Sequence, residues 1–200
     1  VFINGQIVGK HTGGYTPFSF CLTPYLKLQR NTLIIVVEDS DSWQQPRGKQ
    51  AGTTRWPIDY DPIIGIWQTV WLEPKSNLYL SAIRNHFSLD SGSIFFTYQL
   101  SKPTTAEIST VLRLDGEEIT RDLSVCDDRN EIRFKMRVPN PCLWSVKEPN
   151  LYELEITISE NGEILDRVES YCGLREIEIR DDRFLLNGED VFLSGVLDQG

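Results

Sequence analysis

Apolar and polar residues alternate with a period of two over much of this chain, most clearly in Leu151-Tyr-Glu-Leu-Glu-Ile-Thr-Ile158. That period puts one face of a strand on a core and the other in water. Asn161-Gly162 comes next, a pair that accepts positive φ, and a second run through Ile164, Val168 and Tyr171 returns, so the stretch predicts a hairpin. Just ahead of it, Leu143 and Trp144 follow Pro139 and Pro141. Two residues lacking a backbone N–H rule out a helix or a continuous ladder there and predict a corner. We expect Trp144 to be buried in that corner, with its indole N–H on a backbone carbonyl. Further alternating runs occupy 77–84, 93–100, 106–114 and 131–138, and Asp115-Gly116 turns residues 111–114 into 118–120. About seven strands within about a hundred residues is the count of a β-sandwich, here without a Cys-Trp-Cys pin.

Residues 1–74 read differently. A short hairpin is expected about Asn4-Gly5, and an irregular Gly13-Gly14-Tyr-Thr-Pro-Phe18 leads into a strand over 18–22. Thr23 to Leu28 suggests a short capped turn. Asn31 to Glu38 is a β-branched run that predicts a strand buried on both faces. The polar stretch from Asp39 to Asp61 contains Trp43, Trp56 and Tyr60. A connection of that length inside a domain is usually functional or disordered, and its aromatics argue against disorder. Gly65 to Glu73 predicts a strand with Trp67 and Trp71 on one face. From Asp181 a hairpin about Asn187-Gly188 is expected, followed by an apolar run.

Composition narrows the choice of partner. The chain has 200 residues, 40% of them hydrophobic, with five Trp, seven Tyr and nine Phe, enough for a core. Lys plus Arg number 20 against 29 Asp plus Glu, a formal charge of −9, which argues against nucleic acid or an anionic membrane as partner. Apolar runs such as Leu33 to Val37 are far shorter than a membrane span, and no charged-then-apolar leader opens the chain at Val1. Cys21, Cys126, Cys142 and Cys172 show no C-x-x-C spacing and no histidine at ligand distance, so no metal site is expected. They read as buried or half-buried free thiols, which favours the cytoplasm without fixing the compartment. His11 and His86 stand apart in polar surroundings and are assigned no chemistry. No nucleophile-elbow motif, triad signature or glycine-rich phosphate loop is present, and no cofactor is expected.

Several motifs carry a resemblance. PCLWSVKEPNLY at 141–152, followed by the hairpin and YCGLREIEI at 171–179, resembles the immunoglobulin-like middle domain of glycoside hydrolase family 2, the family of β-galactosidases, β-glucuronidases and β-mannosidases. ING at 3–5, GGYTPF at 13–18, NTLIIVV at 31–37 and GIWQTVWLE at 65–73 resemble, in order and spacing, the second half of that family's sugar-binding jelly roll. FLLNG at 184–188 with VFLSGV at 191–196 resembles the opening of its catalytic (β/α)8 barrel. Two departures are visible. Ile64 replaces the small residue usual before Gly65, and Leu197-Asp198-Gln199 replaces the Asn-led continuation of many members, which leaves the sugar specificity open.

The resemblance implies an all-β fold class: half of a galactose-binding-like jelly roll over 1–74, an immunoglobulin-like β-sandwich over 75–179, and the first strand of a truncated barrel over 180–200. It implies the non-catalytic portion of a retaining, β-galactosidase-like hydrolase of terminal β-glycosides. Such enzymes need two carboxyl groups about 5 to 5.5 Å apart. In the family both are glutamates on later barrel strands, so none of the 29 acids here inherits either role. Two acids are candidates for contact with substrate. Asp59 matches a jelly-roll loop aspartate of some members, and Asp198 falls at the carboxyl end of the first barrel strand, the face where barrel sites form. The implied partner is a carbohydrate substrate in the intact enzyme, and a homo-oligomer stays open. The competing class is a standalone, non-catalytic β-sandwich module for carbohydrate or protein binding. An adhesive immunoglobulin-like repeat would show internal self-similarity, and none is seen.

Overall fold

In the computed structural model of the protein, the residues described are 1–40, 42, 44–46, 48–50 and 56–197. They divide into two compact units, Val1–Trp71 and Leu72–Leu197. All regular structure in them is β, apart from one 3₁₀ turn at Thr23–Tyr25, and every strand pairing is antiparallel.

The first unit holds three short strands, β1 (Phe2–Ile3), β2 (Gln6–Ile7) and β3 (Leu33–Ile34), in the order β2-β1-β3. The expected hairpin forms, with Asn4 at φ 52° and Gly5 at φ 83°, the left-handed pair that a two-residue turn requires. Asn4 does more than turn the chain. Its Nδ2 donates to the Tyr25 carbonyl at 2.9 Å and to Asn31 Oδ1 at 2.8 Å, while its Oδ1 accepts the Thr32 N–H at 3.0 Å. The hairpin is thereby tied to the 3₁₀ turn and to β3.

Three expectations for this unit are corrected. Residues 18–22 form no strand. The run 31–38 contributes only Leu33–Ile34 to a sheet and is not buried on both faces, since Leu33, Ile34, Val36 and Val37 are between 42% and 57% exposed. Gly65 to Glu73 is not a strand, and Trp67 and Trp71 are 66% and 68% exposed. The reason is common to all three. A strand is held by its ladder partners and by what covers its face, and among the described residues of this unit no second sheet supplies either.

The second unit is a seven-stranded sandwich. Its strands are β4 (Leu80–Ser88), β5 (Ser93–Thr104), β6 (Glu107–Leu114), β7 (Glu117–Val125), β8 (Arg129–Arg137), β9 (Tyr152–Glu160) and β10 (Glu163–Cys172). One sheet has the order β4-β5-β8 and the other β10-β9-β6-β7. The alternation in the sequence becomes the inner faces directly. Ile94, Phe96, Tyr98 and Leu100 of β5 meet Ile108 and Leu112 of β6 and Leu154, Ile156 and Ile158 of β9 in one cluster, none more than 2% exposed. Asp115-Gly116 and Asn161-Gly162 adopt the left-handed pair at their turns. Strand β7 continues to Val125, past the expected 118–120, and β4 begins at Leu80 and carries Phe87 into the core. Register irregularities in β4 at Leu80/Ala82 and in β10 at Ile164/Asp166 meet, and the Asp166 carboxylate accepts the Leu80 N–H at 2.9 Å. Bulges re-aim a strand at a sheet edge, and here the bulged pair links one sheet to the other.

A third sheet closes the unit, with β11 (Ile177–Arg180), β12 (Arg183–Leu186) and β13 (Glu189–Asp190) in sequence order. Its turns are Asp181-Asp182 and the expected Asn187-Gly188, all at positive φ. Residues 191–197 follow without regular structure, and Phe192 and Val196 are 91% and 94% exposed. No closed barrel occurs among the described residues.

Trp144 requires a further correction. It is half-buried and lies outside the core cluster, although its neighbour Leu143 packs against that cluster. One face of the indole rests on Gly173, where an added Cβ would come within 3.1 Å of the Trp144 side chain. The Arg175 guanidinium stands 4.6 Å from the ring centroid, so a cation and a bare backbone lie against it.

Candidate functional site

Asp59 lies in the long polar segment of the first unit and is half-buried. Its carboxylate Oδ2 accepts the Trp56 N–H at 2.8 Å, while its own N–H donates to the Trp56 carbonyl at 3.0 Å. This reciprocal pair closes a turn, the ordinary use of an aspartate side chain against local backbone. The turn is tied back to the middle of the segment, since the Tyr60 N–H donates to the Lys49 carbonyl at 2.9 Å and the Ile63 N–H to Gln50 Oε1 at 3.3 Å. Asp59 is thus held in place by its own loop. Asp198, the other candidate, lies outside the described residues.

The first unit presents aromatic rings to solvent, among them Trp56 and Tyr60 beside Asp59 in sequence, and Tyr15 and Trp67 elsewhere in the chain. The sequence pattern missed how two of its own motifs meet. The indole N–H of Trp67, in GIWQTVWLE, donates to the Gly14 carbonyl, in GGYTPF, at 2.7 Å. Tyr15 stands edge-on to Trp67 with centroids 6.3 Å apart. A Cβ at Gly14 would meet nothing within 4 Å, so the glycine itself did not signal the contact. His11 stacks on Phe18 at 4.4 Å and reaches Thr16, and His86 stacks on its cross-strand neighbour Phe95 at 4.8 Å. Both histidines are aromatic packing partners.

No catalytic constellation assembles among the described residues. No group of three or more His, Cys, Asp and Glu side chains among them could hold a metal ion. The most strongly shifted groups sit in the sandwich, where burial moves them away from reactivity. Burial pushes the Cys172 thiol up to about 11 and raises Cys126 as well, the opposite of an activated nucleophile. The Tyr98 phenol is also raised, by burial first, with its bond to Thr110 opposing. Cys126 and Cys172 are buried as expected, whereas Cys21 and Cys142 are exposed, which corrects that part of the thiol reading. On the surface, the Arg121 guanidinium holds the Glu118 carboxyl below its ordinary range through a two-pronged contact. Two shallow concavities flank the end of β7 at Val125, one floored by Cys126 and Ile132 and the other by Thr105 and Ser159. Both are open to solvent. Among the described residues no helix is long and apolar enough to cross a membrane.

Comparison with known proteins covers this same architecture. Residues 83–175, from within β4 to just beyond β10, match the family model of Glycosyl hydrolases family 2. A β-galactosidase of Thermoanaerobacter pseudethanolicus is 29% identical over 98% of this chain and 27% of its own length. A putative β-glucuronidase of Formosa agariphila is 30% identical over 98% of this chain and 24% of its own. The apo structure of a β-glucuronidase from Ruminococcus gnavus aligns with 60% of this chain and 20% of its own, at 21% identity and a TM-score of 0.49. The chain thus spans about a quarter of the length of the curated relatives it matches. Residues 83–175 thus match glycosyl hydrolases family 2, and nearly the whole chain is similar to a β-galactosidase and a putative β-glucuronidase.

Proposed function

We propose that these residues are the non-catalytic, β-sandwich part of a retaining glycoside hydrolase that removes terminal β-linked sugars, with a β-galactoside as the preferred substrate class. The observation that carries the reading is the alignment of 98% of the chain with a β-galactosidase, over a fold whose described ionisable groups form no catalytic constellation of their own. In this reading 1–74 belong to a jelly roll, 75–179 to an immunoglobulin-like domain and 180–200 to the entry of the catalytic barrel, which supplies both glutamates. Asp59 and Asp198 reach the substrate in the whole enzyme. Asp59 is suited to that role because its own turn already orients it, so binding need not order it. Free thiols favour a cytoplasmic setting.

The test uses the complete gene product. It should hydrolyse nitrophenyl β-galactoside at least about tenfold faster than nitrophenyl β-glucuronide, a ratio that one well-placed polar contact can supply, and Asp59→Ala should raise KM. The isolated 200-residue chain should release no nitrophenol above background. A preference for the glucuronide would overturn the substrate, and activity in the purified short chain would overturn the non-catalytic assignment.

A further inference from the structure

The four residues Gly173–Glu176 link the last sandwich strand, β10, to the first strand of the third sheet, β11. Every one of them is engaged. Gly173 lies against the Trp144 side chain. Leu174 is buried in the core cluster, and its carbonyl accepts the Trp144 N–H at 2.9 Å. The Arg175 guanidinium stands over the indole at 4.6 Å from the centroid. The Glu176 carboxylate reaches the turn between β4 and β5 and accepts the Leu89 N–H at 2.8 Å. Its backbone N–H donates to Asn187 Oδ1 at 3.0 Å, and its carbonyl accepts the Asn187 N–H at 2.8 Å. Asn187 Nδ2 completes the circuit by donating to the Trp144 carbonyl at 2.9 Å.

Three segments distant in sequence therefore converge on one short link: the corner at Trp144, the β4–β5 turn at Leu89, and the β12–β13 hairpin at Asn187. The β11–β13 sheet contributes no residue to the core cluster of the sandwich, so what fixes its orientation has to be found at this link. Here both hydrogen-bonding ends of one amide are spent across the junction, and the amide belongs to a turn residue whose left-handed φ of 54° fixes where its side chain starts. We propose that Gly173–Glu176 and Asn187 form a clamp that locks the β11–β13 sheet to the sandwich, with Asn187 as its closing residue. The clamp sets the direction in which the chain leaves β13. This inference stands on the junction alone and does not rest on the glycosidase reading.

Residual dipolar couplings of the 200-residue chain test it. In the wild type, one alignment tensor should fit the amides of β4–β10 and of β11–β13 together. Asn187→Gly keeps the turn's positive φ and deletes the amide, and with Glu176→Ala it opens both arms of the clamp. In that double variant the couplings of β11–β13 should shrink to less than half, while those of β4–β10 stay unchanged. If the hairpin amides lose their dispersion in the double variant, Asn187→Asp decides. It retains the acceptor for the Glu176 N–H and loses only the donor to Trp144, and should still reduce the β11–β13 couplings. Separate tensors in the wild type, or couplings unchanged in whichever variant keeps its hairpin, would overturn the clamp.

Discussion

The hydroxyls of Tyr98 and Thr110 lie 3.2 Å apart in the middle of the sandwich, one on β5 and the other on β6, and neither residue is exposed to solvent at all. The two strands belong to opposite sheets, so this polar contact crosses a core built mainly of apolar side chains. Removing one partner strands the other. Tyr98→Phe should cost about 1 to 3 kcal/mol, the range for leaving a buried polar group unsatisfied, and Tyr98→Phe with Thr110→Val should recover most of it. Urea titrations of the two singles and the double form the cycle that measures this coupling, and additive losses would show that the pair is not coupled.

Stability should fall at alkaline pH, and the sign follows from burial. Cys172 is raised from an ordinary 9.0 to about 11, and Tyr98 is raised above 10.0, both chiefly by burial. Both are protonated in either state below about pH 8, so their contribution is complete there. Above that the unfolded chain gives up protons that the native one keeps, first from the thiol and, beyond about pH 10, from the phenol. Unfolding free energy measured from about pH 8 to 11 should decline through this window, and Tyr98→Phe should make the decline above about pH 10 shallower. A flat profile would show that neither group is held protonated by the fold.

Amide exchange should separate the two units. The second has one contiguous core drawn from both sheets, whereas among the described residues of the first Ile3 is the large apolar side chain that is buried while many others face water. Apolar area left in water forgoes about 25 cal/mol per Å². Amides of β5, β6 and β9 should exchange most slowly, and those of residues 1–71 should exchange faster as a group. Stronger protection before Trp71 than within β5 would contradict this.

Trp144→Ala should be milder than loss of a core aromatic. Emptying a fully buried aromatic site costs about 3 to 5 kcal/mol, and a half-buried ring resting on a glycine and a guanidinium should cost about half of that. A shift in the urea midpoint as large as that of Phe96→Ala would place the indole in the core after all.

What the sequence disclosed depended on where each element's partner lies. The sandwich strands were readable because each apolar face has its complement within the same hundred or so residues, and because Asn4, Asp115, Asn161 and Asn187 each precede a glycine at a left-handed turn. Inference from branched side chains failed over 31–38, where the propensity of Ile34, Ile35, Val36 and Val37 is present but the covering face is not. The corner at Pro139 and Pro141 was readable from two missing amides. The depth of Trp144 was not, because it is decided by Gly173 and Arg175, which no local pattern connects to it. At the candidate site, the chemistry of Asp59 was visible but its hold on the Trp56 N–H was not, since that bond depends on the fold of the loop itself.

The Asn-Gly turns that fold this chain also give it clocks of unequal speed. When the nitrogen of the following glycine attacks an asparagine side-chain carbonyl, ammonia leaves and a cyclic imide forms, which water opens to aspartate or isoaspartate. The attack requires the side-chain amide to swing free. At Asn4 and Asn187 it is tethered through both its oxygen and its nitrogen. At exposed Asn161 it has no side-chain hydrogen bond among the described residues. Stored protein should therefore gain its first unit of mass at Asn161, in a turn that tolerates the change, while the junction at Asn187 keeps its amide until the hairpin around it opens. Peptide mapping of aged samples would read the order, and earlier conversion at Asn187 would mean that the hairpin opens far more often than its bonds suggest.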